Sequence, residues 1–324
     1  MTTLYPFTDA DVDNALAILR DEKKLFENKS SSINGAPSPK ILILAGAQGS
    51  GKTYLLENEL LPTRHYDAYV RLYLPAFRTL HPLYEEMKSE SVLDIYQHTE
   101  EFIWKLGNKI FEYAQQHKLN IIMETAMDNP GFARVPDALV ALGYQFEVHV
   151  IACQKEFSHW ASLDRVVKSV AKGELERVVT LTQIEEAQVN ARAILDAFEN
   201  ACTKKPGSNI MIYVRGIESE MKSRVVCHSM CNDVGELAPQ EDYFGKAFFQ
   251  HPNFNFNISR NAQSTFPCSF IQYSQVVHAG LLGKEHRQTM ATGCCKTLGN
   301  AQVAEMPTEV FRELCLYVLK YVNP

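Results

Sequence analysis

The sequence predicts an α/β protein: a parallel sheet flanked by helices, continued by a C-terminal α+β extension. Three observations predict it. Short apolar runs alternate with amphipathic stretches from residue 40 to residue 214, the order of strand and crossover helix in a parallel sheet. Ile41-Leu42-Ile43-Leu44-Ala45 has no polar face, as a strand buried on both sides requires. A glycine-rich turn follows that run directly.

In chain order, Thr8 caps a helix over 8–28, with Asp9 and Asp11 in its first turn and apolar residues at helical spacing. Ser30 to Pro39 has the composition of a loop. After the strand at 41–45 a helix covers Thr53 to Leu61, and a second strand Tyr69 to Leu74. A helix is predicted over 98–117, a strand over 120–123, a helix over 135–142 and a strand over 146–152. Helices near 155–172 and 182–201 precede a fifth strand at Asn209 to Val214. Beyond 218 helical patterns thin out. Phe254 to Ile258 alternates with the period of a half-exposed strand, and Pro307 to Tyr321 reads as a closing helix capped by Thr308. The expected division is an N-terminal helix and linker (1–39), a nucleotide-binding domain (40–217) and a cysteine-rich extension (218–324).

The composition excludes several functions. With 324 residues, 46% hydrophobic and 22% charged, the chain is an ordinary globular protein able to bury a core without disulfides. Its net charge of -6 is the wrong sign for a general nucleic-acid binder. No apolar run nears the roughly 18 residues that span a bilayer. The opening Met1-Thr-Thr-Leu-Tyr-Pro lacks the basic and apolar regions of a secretory signal. A cytosolic site of action is therefore expected, with the eight cysteines reduced.

Gly46-Ala47-Gln48-Gly49-Ser50-Gly51-Lys52-Thr53 fits GxxxxGK[ST] completely, with a buried strand before it and a helix after it. In such a loop the glycines let successive amides wrap phosphates, Lys52 reaches the β and γ phosphates, and the Thr53 hydroxyl ligates Mg²⁺. No guanine-reading NKxD is present, which argues against a GTPase switch. A small-molecule or nucleotide kinase fits better, because such enzymes add an arginine lid. Arg165 and Arg177 suit that role, since arginine neutralises charge on a transferring phosphoryl group; the alternative is two solvated surface arginines. Glu124, at the end of the strand Ile121-Ile122-Met123, occupies the usual ligand crevice of an open α/β sheet.

Over residues 8–215 these motifs resemble the zeta-toxin family of P-loop kinases. Besides the loop, the resemblance rests on Phe77-Arg78-Thr79-Leu80-His81-Pro82-Leu83-Tyr84, Thr99-Glu100-Glu101-Phe102, Asn120-Ile121-Ile122-Met123-Glu124-Thr125, Val135-Pro136 and Gly143-Tyr144, with Arg165 and Arg177 where the lid arginines belong. It implies a P-loop kinase-like fold, ATP or GTP with Mg²⁺, and transfer of the γ-phosphate to a hydroxyl of a small metabolite. That acceptor is a nucleotide sugar such as UDP-N-acetylglucosamine, or an NAD-like nucleotide. It also implies an antitoxin or host protein as partner, and action in a bacterial cytoplasm or, for an effector, a host cytosol.

Residue by residue, the resemblance assigns nucleotide binding to Gly46, Gln48, Gly49, Ser50, Gly51, Lys52, Thr53, Arg165 and Arg177. Catalysis is assigned to Lys52, Arg78 and Glu124, with Asp128 as a replacement carboxylate where the sequence departs from the family, and acceptor binding to Arg78, His81, Glu100 and Thr125. Two alternatives stay open. Arg78 either clamps phosphate or acceptor, or anchors its loop to a nearby carboxylate; His81 either binds the acceptor or caps the turn that Pro82 fixes.

The sequence departs from the family where chemistry is at stake. The family's catalytic Asp, three residues before the arginine of the block, is Pro75 here. Family Gly-Thr after the strand glutamate is Thr125-Ala126, and a substrate-binding arginine is replaced by Asp128. Pro75 accepts no proton. Either another carboxylate (Glu124, Asp128, Glu100 or Glu101) takes it, or the fold is a nucleotide-binding pseudokinase or effector module acting through residues 218–324. Asp128 in place of arginine also disfavours a pyrophosphate, so an acceptor with fewer negative charges fits better.

In the extension, Cys227-x₃-Cys231 lacks the second pair of a zinc site, and nothing marks Cys268 with His278 or His286 as an activated thiol. Phe248, Phe249, Phe254 and Phe256 are assigned to the core, and Trp104 and Trp160 to packing.

Overall fold

The computed structural model describes residues 5–72, 74–90, 95–174, 176–217, 219–239, 248–250, 257–259, 269–279 and 283–322. Helix α1 (Asp9–Ala17) starts at a capping box. Asp11 N donates to Thr8 Oγ1 at 3.3 Å and Thr8 N to Asp11 Oδ2 at 2.7 Å. The α-helix is shorter than expected, giving way to a wider π turn over Ile18–Glu22. A small antiparallel pair, β1 (Ser32–Ile33) and β2 (Ala36–Pro37), crosses the linker.

The apolar run is β3 (Lys40–Ala45). It leads through the glycine loop into α2 (Lys52–Leu55), which widens into a π turn over Leu56–Leu60. The strand expected over 69–74 is only β4 (Val70–Arg71), because Leu74–Phe77 turn into the short helix α3. Helix α4 (Tyr84–Glu90) was not legible as a helix. Then follow α5 (Ile95–Gln116), β5 (Ile121–Thr125), α6 (Val135–Ala141), β6 (Gln145–Ala152), α7 (Lys155–Ala171), α8 (Leu181–Cys202) and β7 (Asn209–Val214).

The chain continues in the same sheet. β8 (Arg224–Met230) pairs antiparallel with β7, and β9 (Ala238–Pro239) with β8. The seven-stranded order is β4-β5-β3-β6-β7-β8-β9, its first five strands parallel. The division expected at 217/218 thus falls between hydrogen-bonded strands of one sheet. A further antiparallel pair is β10 (Phe248–Gln250) with β11 (Asn257–Ser259); the remainder of the alternating stretch from Phe254, and Cys268, lie outside the described residues. Helices α9 (Ser269–Val277), α10 (Lys284–Val303) and α11 (Thr308–Val322) complete the chain.

Both sheet faces are buried, as the all-apolar β3 demands. Ile41, Ile43 and Ala45 enter one core with α1, α5, α8 and α9; Leu42 and Leu44 enter another with Leu55, Leu56, Tyr66 and Ile122. A separate apolar cluster joins α7 to α10 and α11 through Trp160, Leu163, Met290, Cys294, Leu314 and Tyr317. Trp160 packs on Gly293, where a Cβ would stand 2.7 Å from its ring. Trp104 corrects expectation: it lies off the buried stripe of α5 and is 65% exposed. Among the described residues, no helix is long and apolar enough to cross a membrane.

Candidate active site

The site forms where parallel strands end and their crossover loops begin. The glycine loop leaves β3 at Gly46, whose N–H donates to Thr125 O at 3.2 Å on the neighbouring β5. Strand register sets Leu44 beside Glu124 and Ala45 beside Thr125, so the loop and the acidic strand end emerge together. Gly49 and Gly51 take φ of +78° and +98°, conformations that L side chains rarely adopt. A Cβ at Gly49 would also overlap the carbonyl of Ser158. Helix α7 braces the loop a second time, Ser158 Oγ donating to Gln48 O at 2.6 Å.

Lys52 curls back over this loop. Its Nζ donates to Gly46 O at 2.6 Å and Ala47 O at 3.0 Å. Burial lowers its pKa to about 8, opposed by the charge of Glu124 and reinforced by those of Arg165 and Arg177. Both guanidiniums are therefore close enough to act on Lys52. Next to Lys52, Thr53 Oγ1 donates to Glu124 Oε2 at 3.2 Å, and Arg71 Nη2 stands 3.7 Å from Glu124 Oε1.

Gln48 reaches outward from the loop, Nε2 donating to Asp128 Oδ2 at 2.9 Å. The Asp128 carbonyl accepts from Asn190 Nδ2 at 3.2 Å. Met127 before it has φ of +60°, and its N–H donates to Thr125 Oγ1 at 3.1 Å. Thr125 thus shapes the turn that presents Asp128 beside the loop.

The two arginines expected to form a lid are not alike. Arg165 holds Glu176 with two nitrogens, Nε at 2.7 Å from Oε2 and Nη2 at 3.2 Å from Oε1. Glu176 Oε1 also accepts from the Arg177 N–H at 3.1 Å. The Arg177 guanidinium lies 5.7 Å from the centroid of Tyr96. Glu176 and Tyr96 were both missed by sequence reasoning. Neither sits in a motif, and only the fold brings residues 96, 165, 176 and 177 together.

Arg78 is buried, and its two terminal nitrogens donate to α5: Nη1 to Thr99 Oγ1 at 2.5 Å and to Tyr96 O at 3.2 Å, Nη2 to Glu100 Oε2 at 2.9 Å; its Nε has no hydrogen-bond partner among the described residues. Its Cζ lies 3.8 Å from the Tyr96 centroid. Of its two alternatives the anchoring contact is the one present, and Glu100 is its carboxylate. His81 is enclosed by Phe7 and Phe102, and its Nδ1 accepts from Leu83 N at 3.1 Å. Burial lowers its pKa. The ring caps its turn within an aromatic cluster, the capping alternative of the two.

The adjacent Thr53 hydroxyl and Glu124 carboxylate fit Mg²⁺, which takes one or two protein oxygens and keeps several waters for phosphate to replace. Among the described residues, no group of three His, Cys, Asp or Glu side chains could hold a metal ion. A cavity of about 360 Å³, lined by Lys40, Tyr66, Tyr69, Gln145, Glu147 and Asn209, opens at the other, N-terminal end of the strands.

A zeta toxin family model matches residues 22–224, more than half of the chain. Toxin PezT of Streptococcus pneumoniae serotype 4 (strain ATCC BAA-334 / TIGR4) is 26% identical over 165 residues, 50% of this chain and 61% of that protein. The match thus spans less than two thirds of that relative's length. Among solved structures, a chain from the molecular and structural characterization of the PezAT chromosomal toxin–antitoxin system of S. pneumoniae is similar with a TM-score of 0.59 and 18% identity. It covers 91% of this chain and 98% of that one. The crystal structure of AvrRxo1-ORF1:AvrRxo1-ORF2 with sulphate ions is similar with a TM-score of 0.56 and 11% identity, covering 96% of this chain and 84% of that one. At these identities the structural likenesses concern the fold alone.

Proposed function

The chain belongs to the zeta-toxin family, and from that premise we propose that it is a kinase moving the γ-phosphate of ATP or GTP to a hydroxyl of a small metabolite. One observation carries this reading: a complete phosphate loop lies against an acidic strand end, Thr53 3.2 Å from Glu124, and the charges of Arg165 and Arg177 act on Lys52.

The roles follow from position. Loop amides and Lys52 hold the phosphate tail, and Lys52 exchanges the Gly46 and Ala47 carbonyls for phosphate oxygens. Thr53 and Glu124 would hold Mg²⁺, which neutralises phosphate charge when bound. Arg165 and Arg177 close on the transferring group, where charge-assisted hydrogen bonds are strongest. Asp128 is the proposed acceptor of the hydroxyl proton, since Gln48 engages only one of its oxygens. It thereby stands in for the carboxylate that Pro75 cannot supply. Glu100 and Glu101 are less suited, being paired with Arg78 and Lys105 respectively.

For the acceptor we propose a nucleotide sugar or NAD-like nucleotide, presented so that its own phosphates stay away from Asp128. An antitoxin-type protein partner belongs to the same proposal, supported by family membership and by the toxin–antitoxin relative. So does action in a bacterial or host cytosol.

The test is an untargeted product search. Purified chain, labelled ATP or GTP and a metabolite extract should yield a phosphorylated small molecule that Lys52→Ala abolishes. Tight nucleotide binding with no product over hours supports the second reading, a pseudokinase scaffold, which Pro75 favours.

A further inference from the structure

Arg215 follows β7 and belongs to no motif. Its N–H donates to Ala152 O at 3.1 Å, continuing the β6–β7 ladder one step toward the phosphate loop. The side chain then lies along the loop. Nε donates to Met221 O at 2.9 Å, Nη1 stands 3.5 Å from Ser50 O, and the guanidinium carbon is 4.9 Å from the centroid of the Tyr54 ring. The approach to Gly51 is closer still. A Cβ there would be 2.7 Å from Arg215 Cζ and 2.8 Å from Cδ. Glycine at 51 therefore gives the loop its left-handed turn and gives Arg215 its seat.

A structural pin would pair this cation with a carboxylate. Among the described residues none is within ion-pair distance; Glu59 acts on it only through space. Burial opposes its charge, so it is held half out of water without a counter-ion, which is costly. The other loop-side cations are differently occupied: Lys52 turns back to Gly46 and Ala47, and Arg165 is closed on Glu176. Backbone amides of such loops cradle the α and β phosphates while the lysine serves β and γ. A cation beside Gly51 and Tyr54 is thus placed for the near end of the phosphate chain.

We propose that Arg215 binds the α-phosphate of the nucleotide, with the Tyr54 ring keeping its guanidinium flat against the loop. This rests on the kinase reading above and adds to it a fourth cation, acting on the nucleoside side. The loop, its lysine and the two lid arginines were already assigned to the phosphate tail.

The test is calorimetry on the full chain in magnesium buffer, with ATP, GTP, ADP and inorganic pyrophosphate as probes. Lys52→Ala should lose ATP and pyrophosphate alike. Arg215→Gln should weaken ATP and ADP by about tenfold or more while changing pyrophosphate by less than about twofold, the scale of one charge-assisted hydrogen bond. Arg215→Lys should recover part of the loss, because it keeps the charge without the fork. A purely bracing residue would instead weaken pyrophosphate and ATP equally and lower the melting temperature; that result overturns the proposal. So does wild-type ATP affinity in Arg215→Gln, which leaves the kinase reading standing. If the wild-type chain binds neither ATP nor GTP, the kinase reading falls and Arg215 with it.

Discussion

Thr53 Oγ1 and Glu124 Oε2 stand 3.2 Å apart, joining the last residue of the phosphate loop to the end of the neighbouring strand. Two hard oxygens so placed suit an ion that the phosphates also share. Glu124→Gln keeps the shape and a weak ligand but removes the charge. Turnover should fall by roughly 10²-fold or more while Mg²⁺-free ATP affinity stays nearly unchanged, and the Mg²⁺ concentration for half-activity should rise. Asp128→Asn should also lower turnover, by about 10²–10⁴-fold, but without moving the Mg²⁺ requirement. Identical Mg²⁺ curves for wild type and Glu124→Gln would remove the glutamate from the metal site.

Lys52 makes the protein pay in stability for its readiness to bind, and pH reveals it. Its folded pKa of about 8 lies below the ordinary 10.5. Below pH 8 both states hold the proton and the folded state bears the full cost of the buried charge. Between about 8 and 10.5 the unfolded chain holds more protons, so this group's contribution to stability rises with pH. Lys52→Met should therefore be more stable than wild type at pH 7, by roughly 1–2 kcal/mol after the two lost hydrogen bonds, and the gap should close toward pH 10. Chemical denaturation at the two pH values measures it. Nucleotide binding near pH 8.5 should draw in a proton, visible as a binding heat that depends on the buffer's ionisation enthalpy.

Arg165 and Arg177 should separate by experiment. Glu176 is only 12% exposed, and Arg165 gives it an ion pair through Nε and a hydrogen bond through Nη2. Arg165→Ala should cost about 1–3 kcal/mol of stability, because it leaves that carboxylate short of partners, as well as lowering turnover. Arg177 makes no ion pair among the described residues, so Arg177→Ala should lower turnover by about 10²-fold or more with little change in unfolding midpoint. Equal stability losses in the two variants would contradict the asymmetry.

How much of this was legible in sequence depended on whether the signal was local. β3 and its loop could be read because a strand buried on both faces is apolar throughout and the loop's chemistry is contiguous. The capping box at Thr8 and Asp11 was half visible, as Thr8 with acids in the first turn. α10 was not. Its buried positions are Met290, Ala291, Cys294, Thr297 and Ala301, small or weakly apolar residues that leave no strong stripe, and Gly293 is there to admit Trp160. β4 was over-read because an apolar run continues past the point where the chain turns into α3. In the site, Lys52, Thr53 and Glu124 were found through motifs. Glu176, Tyr96, Ser158 and Arg215 were not, since each acts through a partner distant in sequence or through a backbone contact that no spacing encodes. His81 and Glu100 were drawn toward the acceptor by their motif, whereas their contacts point to packing and to Arg78.

Arg78 provides the sharpest contrast between fold and chemistry. It is buried, with Thr99, Glu100 and the Tyr96 carbonyl accepting from its two terminal nitrogens and the Tyr96 ring beneath its guanidinium. Glu100, its partner, is 63% exposed. The pair is therefore unequal. Arg78→Ala removes a packed, multiply bonded group and should cost about 2–4 kcal/mol, whereas Glu100→Gln should cost less than about 1 kcal/mol, because water screens and replaces the lost charge. Arg78→Lys should recover little, since an ammonium cannot span Thr99 and Glu100 while lying flat on Tyr96. Denaturant titration of the three variants reads the stabilities, and acceptor KM reads the alternative. An arginine that clamped the acceptor would raise KM strongly while barely moving the unfolding midpoint. The contacts on α5 require the reverse order: the midpoint moves first, and activity follows through the displaced Tyr96, whose ring is near both Arg78 and Arg177.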